Sequence, residues 1–227
     1  MEDRIVMLRI GPLLITSTVV TTWGLMLVLA GVCWLITRRL KLSPGGWQSV
    51  LEAAVLTMQG AIEDIAPGRS TQLLPFIGSL WIYLVFANLI GLVPGLHSPT
   101  GQIAVTGGLA ILVFFATHWY GIRDAGLLPY LRHYVQPNPI LLPFNIISEL
   151  SRTLALAVRL FGNIMSLEMA ALLVLLVAGL LVPVPLLMLH VVEALVQAYI
   201  FGVLALVYIA GSLETHTPSR SHGGSNP

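Results

Sequence analysis

Arg159, Glu168, His190 and Glu193 are ionisable side chains set in long apolar runs. An ionised group at mid-bilayer costs about 2.5–3.5 kcal/mol on insertion scales, so each one needs a chemical reason. Arg159 lies near the middle of its run, too far from either end for its stem to reach water fully. Its guanidinium stays protonated at any physiological pH, which rules it out as a proton carrier and suits it to be a fixed positive charge. Such a charge holds a nearby carboxylate ionised and stops a cation from passing straight through. The plain alternative is an arginine satisfied by backbone carbonyls or a structural partner. Arg152, Arg159 and Asn163 follow at i, i+7 and i+11, one helical face. Glu168 comes nine residues after Arg159, half a turn out of phase. In the next run His190, Glu193 and Gln197 fall at i, i+3 and i+7, again one face. Counted from the turn near Leu181, Glu168 and the His190–Glu193 pair share a depth, on the outer side of Arg159. That Glu/His/Glu group makes a proton-accessible pocket, or else a hydrogen-bonded cluster that only joins two helices. Glu149, Ser151 and Arg152 form a second polar group before Arg159. It either lines an inner access path or anchors the helix at the interface.

The remaining polar residues have simpler readings. Asn88 reads as an interhelical hydrogen bond. His118, beside Trp119 and Tyr120, belongs with an aromatic belt at a membrane boundary. Cys33, the single cysteine, reads as a small buried hydrophobe. The histidines fall at different depths without ligand spacing, so no metal or haem site and no cofactor is expected. Phosphate loops, nucleophile elbows and metalloprotease motifs are absent.

These side chains need apolar elements to hold them, and the composition supplies such elements. Of 227 residues, 56% are hydrophobic and 9% charged, with mean hydropathy +0.89. Soluble domains carry about 25% charged residues, so an integral membrane protein is implied. The net charge of +1 offers no basic surface for nucleic acid. The first nine residues lack the pattern of a cleaved signal, so the first apolar stretch is expected to be retained. Apolar runs, the first three of them free of charge, place five spans, near 13–37, 72–92, 102–121, 140–178 and 184–213. Between the first two, Trp47, Val50, Leu51, Ala54, Met58, Ala61, Ile62 and Ile65 recur at helical spacing. An amphipathic helix over 47–65 lying in the interface fits them. The fourth run would be roughly 58 Å long as one helix, against a core of roughly 30 Å. It must therefore break or cross with a strong tilt. The expected fold is all-α and integral to the membrane: five spans plus the interfacial helix, the last two forming a long tilted hairpin. A single membrane domain over 1–214 would carry a disordered tail, 215–227. Arg38, Arg39, Lys41 and Arg69 fall in one loop, and Arg123 and Arg132 in another. Basic loops stay in the cytoplasm, which puts the N-terminus outside and the C-terminus inside.

Arg159-Leu160-Phe161-Gly162-Asn163, preceded by Glu149-Leu150-Ser151-Arg152 and followed by Gln197-Ala198-Tyr199-Ile200-Phe201, resembles the a subunit of bacterial F-type ATP synthases. Ala87–Gly95, Ser98-Pro99-Thr100 and His118–Ile122 resemble that family's second and third spans, so the likeness covers about 150 residues from Gln72 to Leu213. It implies a non-catalytic stator subunit in the bacterial inner membrane. The subunit would pack against a rotating ring of c subunits, with b subunits and the soluble catalytic sector as further partners. Two half-channels would pass protons or Na⁺ to and from the ring carboxylate, coupling ion flow to ATP synthesis or hydrolysis. The family's essential arginine maps to Arg159, where it would separate the half-channels. Glu168 and His190 match the outer half-channel's polar pair, and Asn163 and Gln197 match polar residues near the arginine. Thr153 and Ala155 stand where bacterial relatives often place Pro and Ser, and Glu193 adds a carboxylate. An ion-coupled secondary transporter with a buried Arg/Glu substrate site is the alternative of another class. A purely structural scaffold is a third.

Overall fold

The computed structural model describes residues 6–10, 13–38, 45–92, 98–130, 142–178 and 183–214. A short antiparallel hairpin, β1 (Val6–Ile10) with β2 (Leu13–Thr16), leads into six helices. These are α1 (Ser17–Thr37), α2 (Gly46–Ile65), α3 (Ser70–Leu89), α4 (Ile103–Ala125), α5 (Leu142–Ala178) and α6 (Pro183–Glu214). All except α2 are long and apolar enough to cross a membrane. The first span is thus shorter than its charge-free run: residues 13–16 pair as a strand, and the helix begins at Ser17.

Helix α2 keeps one narrow side against α3 through buried Ile62 and partly buried Met58, Ala61 and Ile65. Trp47, Val50, Leu51, Val55 and Leu56 remain exposed, the apolar side that an interfacial helix offers to lipid. Ala66–Arg69 turn the chain into α3. Gly68 takes φ +75° there, a conformation that costs glycine nothing, and its N–H donates to Glu63 Oε1 at 2.6 Å.

Half of the α3 and α6 spans is buried and none of the α1 span, so α3 and α6 form the centre and α1 stands at the edge. Leu73, Ile77 and Leu84 of α3 meet Phe201, Leu206 and Ile209 of α6; Val113 of α4 and Leu156, Leu160 and Ile164 of α5 complete the core. In lipid this packing is held by close van der Waals fit and interhelical hydrogen bonds, because the solvent is as apolar as the side chains. One contact sets how near α3 comes to α6: Trp81 lies directly over Gly202, where any Cβ would collide with the indole. The Trp81 Nε1–H donates to the Tyr199 carbonyl at 3.3 Å, and the two rings stack.

One expectation changes and one open alternative is decided. Cys33 is exposed, because α1 packs on α3 through Leu25 and Leu29 and leaves its other faces open. The fourth apolar run resolves as one continuous helix of 37 residues, so tilt rather than a break must fit it to a membrane. The tail 215–227 and the connector around Arg132 and His133 lie outside the described residues.

Candidate functional site

The helices alternate in direction, so polar contacts sort to two ends. At one end stand the start of α3, the finish of α4, the start of α5 and the finish of α6. Arg69 donates two hydrogen bonds to Asp124, at 2.6 and 2.9 Å, joining α3 to α4. The hydrogen bonds to the Asp124 carboxylate, and then its charge, raise the Arg69 pKa above its ordinary value. Ser212 Oγ donates to the Thr117 carbonyl, joining α6 to α4. His118 rests on Phe114, its Nδ1 2.8 Å from the Phe114 carbonyl, and its Nε2 lies 3.7 Å from Glu149 Oε1 of α5. Both ring nitrogens face acceptors, the Phe114 carbonyl at Nδ1 and the Glu149 carboxylate at Nε2, and the neutral ring has a hydrogen for one of them. His118 thus brings α4 to Glu149, one of the polar group before Arg159. Arg152 is exposed and lies 5.0 Å over the Tyr208 ring, and Ser151 is exposed beside it.

At the opposite end Glu168 turns away from the Arg159 face, as its half-turn phase requires. Its Oε1 accepts the Ser98 N–H at 3.1 Å. Gly91 and Gly101 press close: an added Cβ would come 3.3 Å from Oε1 at the first and 3.2 Å from Oε2 at the second. His190 and Gln197 are buried, at 4% and 2% exposure, and Glu193 is half-buried. Among the described residues no hydrogen bond or ion pair joins Glu168 to His190 or Glu193. His190 Nε2 and Gln197 Nε2 are buried without a protein partner. A buried polar atom left so costs about 1–3 kcal/mol unless water or an ion reaches it.

Between the ends, Asn163 Nδ2 donates to Gln197 Oε1 at 2.7 Å, joining α5 to α6. Arg159, four residues before Asn163, is exposed, and no hydrogen bond or ion pair reaches it among the described residues. It shares its face with exposed Arg152, Ala155, Gly162 and Ser166. Gly162, Met165, Ser166, Met169, Ala170 and Leu173 line a shallow groove just beyond it. A permanent cation exposed on an apolar helix is costly in bare lipid.

Sequence reasoning met Ser98, Thr100 and Gly91 only as parts of the blocks that carry the resemblance, gave Gly101 no role, and did not pair His118 with Glu149. The model of the ATP synthase A chain family matches residues 19–210. The chain belongs to that family. It is 57% identical over 221 residues to ATP synthase subunit a 2 of Pelobacter propionicus, covering 97% of each chain. It is 61% identical over 214 residues to ATP synthase subunit a 1 of Hahella chejuensis, covering 94% of this chain and 91% of that one. With ATP synthase subunit a 1 of Chlorobaculum parvum it shares 45% over 222 residues. Membership of this family removes the secondary-transporter alternative.

Proposed function

We propose that the chain is the stator subunit of the ion channel in a bacterial ATP synthase, with Arg159 as the charged barrier between two offset ion paths. The exposed, unpaired Arg159 carries the reading. Its counter-ion is to come from the partner that covers the α5 face, and a ring of subunits each bearing one membrane carboxylate supplies it. A carboxylate arriving at Arg159 is held ionised and gives up its ion, which cannot recross the fixed positive charge. Glu168, His190 and Glu193 serve the outer path. The partnerless nitrogens of His190 and Gln197 support water along it. Glu149, Ser151 and Arg152, with His118, serve the inner path. Asn163 and Gln197 hold α5 and α6 in register beside the arginine. The b subunits and the soluble sector complete the assembly, and the N-terminus lies outside with the C-terminus in the cytoplasm. The subunit itself performs no ATP chemistry.

Replacing Arg159 with Ala should abolish ATP-driven ion pumping in vesicles while leaving the complex assembled. Normal pumping by that variant would overturn the reading. Pumping measured with and without Na⁺, and with a protonophore, identifies the ion.

A further inference from the structure

We propose that the Ser98–Gly101 turn is a positioning device for Glu168, holding its carboxylate in one orientation through the Ser98 main-chain N–H; the proposal rests on Glu168 serving the outer ion path. Among the described residues the carboxylate accepts one hydrogen bond, from Ser98 N–H to Oε1 at 3.1 Å. Its flanks are closed by two glycines, Gly91 against Oε1 and Gly101 against Oε2, both too near to admit a methyl group without displacing an oxygen. The turn is itself tied down. Ser98 Oγ is 2.9 Å from the Ala87 carbonyl and 2.7 Å from Thr100 Oγ1. Thr100 Oγ1 is 2.7 Å from Asn88 Oδ1, and Asn88 Nδ2 donates to the Ala194 carbonyl of α6 at 3.2 Å. That last bond fixes the Asn88 amide, because flipping it would set two oxygens against each other.

Ser98, Thr100 and Asn88 are essentially sealed, at 2%, 0% and 0% exposure. Two hydroxyl protons serve three short contacts, so either the Ala87 carbonyl or Asn88 Oδ1 lacks its proton when one hydroxyl donates to the other. The chain of bonds ends at the residue after Glu193, one helical turn from His190. The turn thus joins the Glu168 carboxylate to the stretch of α6 that carries the other two ionisable groups of the outer path, although no direct bond links them. An anchor for a loop would need the hydroxyls alone; it would not need an N–H aimed at a carboxylate with two glycines beside it.

The test separates the N–H from the hydroxyl. Ser98 has φ −61°, which proline adopts without strain, so Ser98→Pro removes the N–H and the hydroxyl together. Ser98→Ala removes the hydroxyl alone. In the reconstituted whole complex, ATP-driven pumping per assembled complex should be about tenfold lower in Ser98→Pro than in Ser98→Ala, the loss expected for one hydrogen bond to a charged group. The dependence of pumping on outer-face pH should be displaced in Ser98→Pro and unchanged in Ser98→Ala. Equal rates and equal profiles in the two variants would overturn the proposal. If Ser98→Pro fails to assemble, Gly101→Ala decides, since it keeps the N–H and presses on Oε2: several-fold slower pumping supports the proposal and wild-type pumping overturns it. A dead Arg159→Ala beside equal Ser98 variants would overturn the positioning role alone, whereas an active Arg159→Ala would remove the reading on which it rests.

Discussion

Asn163 and Gln197 are 34 residues apart in sequence and 2.7 Å apart in space, and they show how close one side chain can stand to losing every partner. Gln197 already has one buried amide nitrogen without a protein partner. Asn163→Leu would take the other end as well. The expected outcome is a complex destabilised by about 1–3 kcal/mol, read as a lower thermal midpoint in detergent, together with slower pumping. Thr100→Val makes a sharper case. It strands Asn88 Oδ1, on a side chain at 0% exposure, and should also cost about 1–3 kcal/mol. A midpoint equal to wild type would show that Asn88 finds another donor. The positions of Arg159, Asn163, Glu168, His190, Glu193 and Gln197 could be read from sequence, because a polar residue inside an apolar run is costly and helical period orders it into faces. Their partners could not. Ser98 meets Glu168 across 70 residues, and His118 meets Glu149 across a connector whose path no local pattern encodes. His118→Phe keeps the contact with Phe114 and removes the imidazole facing Glu149; slower pumping with normal assembly is expected if the inner path uses it.

Helices were legible wherever an apolar run was long, and their ends were less so. Residues 13–16 are as apolar as the helix that follows, and only pairing with Val6–Ile10 reveals the strand. The long fourth run admitted either a break or a tilt, and the structure has one continuous helix of 37 residues there. The α2–α3 turn lends itself to a pH experiment. Hydrogen bonds from the Ser70 side chain and then the Gly68 N–H hold the Glu63 carboxyl below its ordinary 4.5. A depressed folded-state value stabilises the turn above pH 4.5 and is lost as pH falls through that lower value. Amide exchange at Gly68 should therefore quicken in acid beyond its intrinsic rate, and Glu63→Gln should lessen that dependence. Gly202→Ala tests the α3–α6 contact: Trp81 must move, and a loss of about 1–3 kcal/mol is expected for overpacking, seen as a lower thermal midpoint with a changed tryptophan emission.

At the scale of the whole molecule, the exposed α5 face is complete in charge and incomplete in cover. The groove past Arg159 is floored by Gly162, Ser166 and Ala170, small residues that let another helix come near. Ser166→Leu fills it. The variant should still insert, but fewer ring subunits should be recovered with it on purification; undiminished recovery would place the ring contact elsewhere.

The 32-residue stretch of α5 over Pro143–Val174 spans about 48 Å, and a hydrocarbon core about 30 Å thick admits that length only at about 50° to its normal. Membrane helices ordinarily incline by up to about 40°. The two ends of α5 are then displaced sideways by about 37 Å from the same lengths, so one helix converts the height of a bilayer into distance along its plane. Lipid thickness becomes a mechanical variable: longer acyl chains would stand α5 more upright and draw its ends together beneath whatever travels past them.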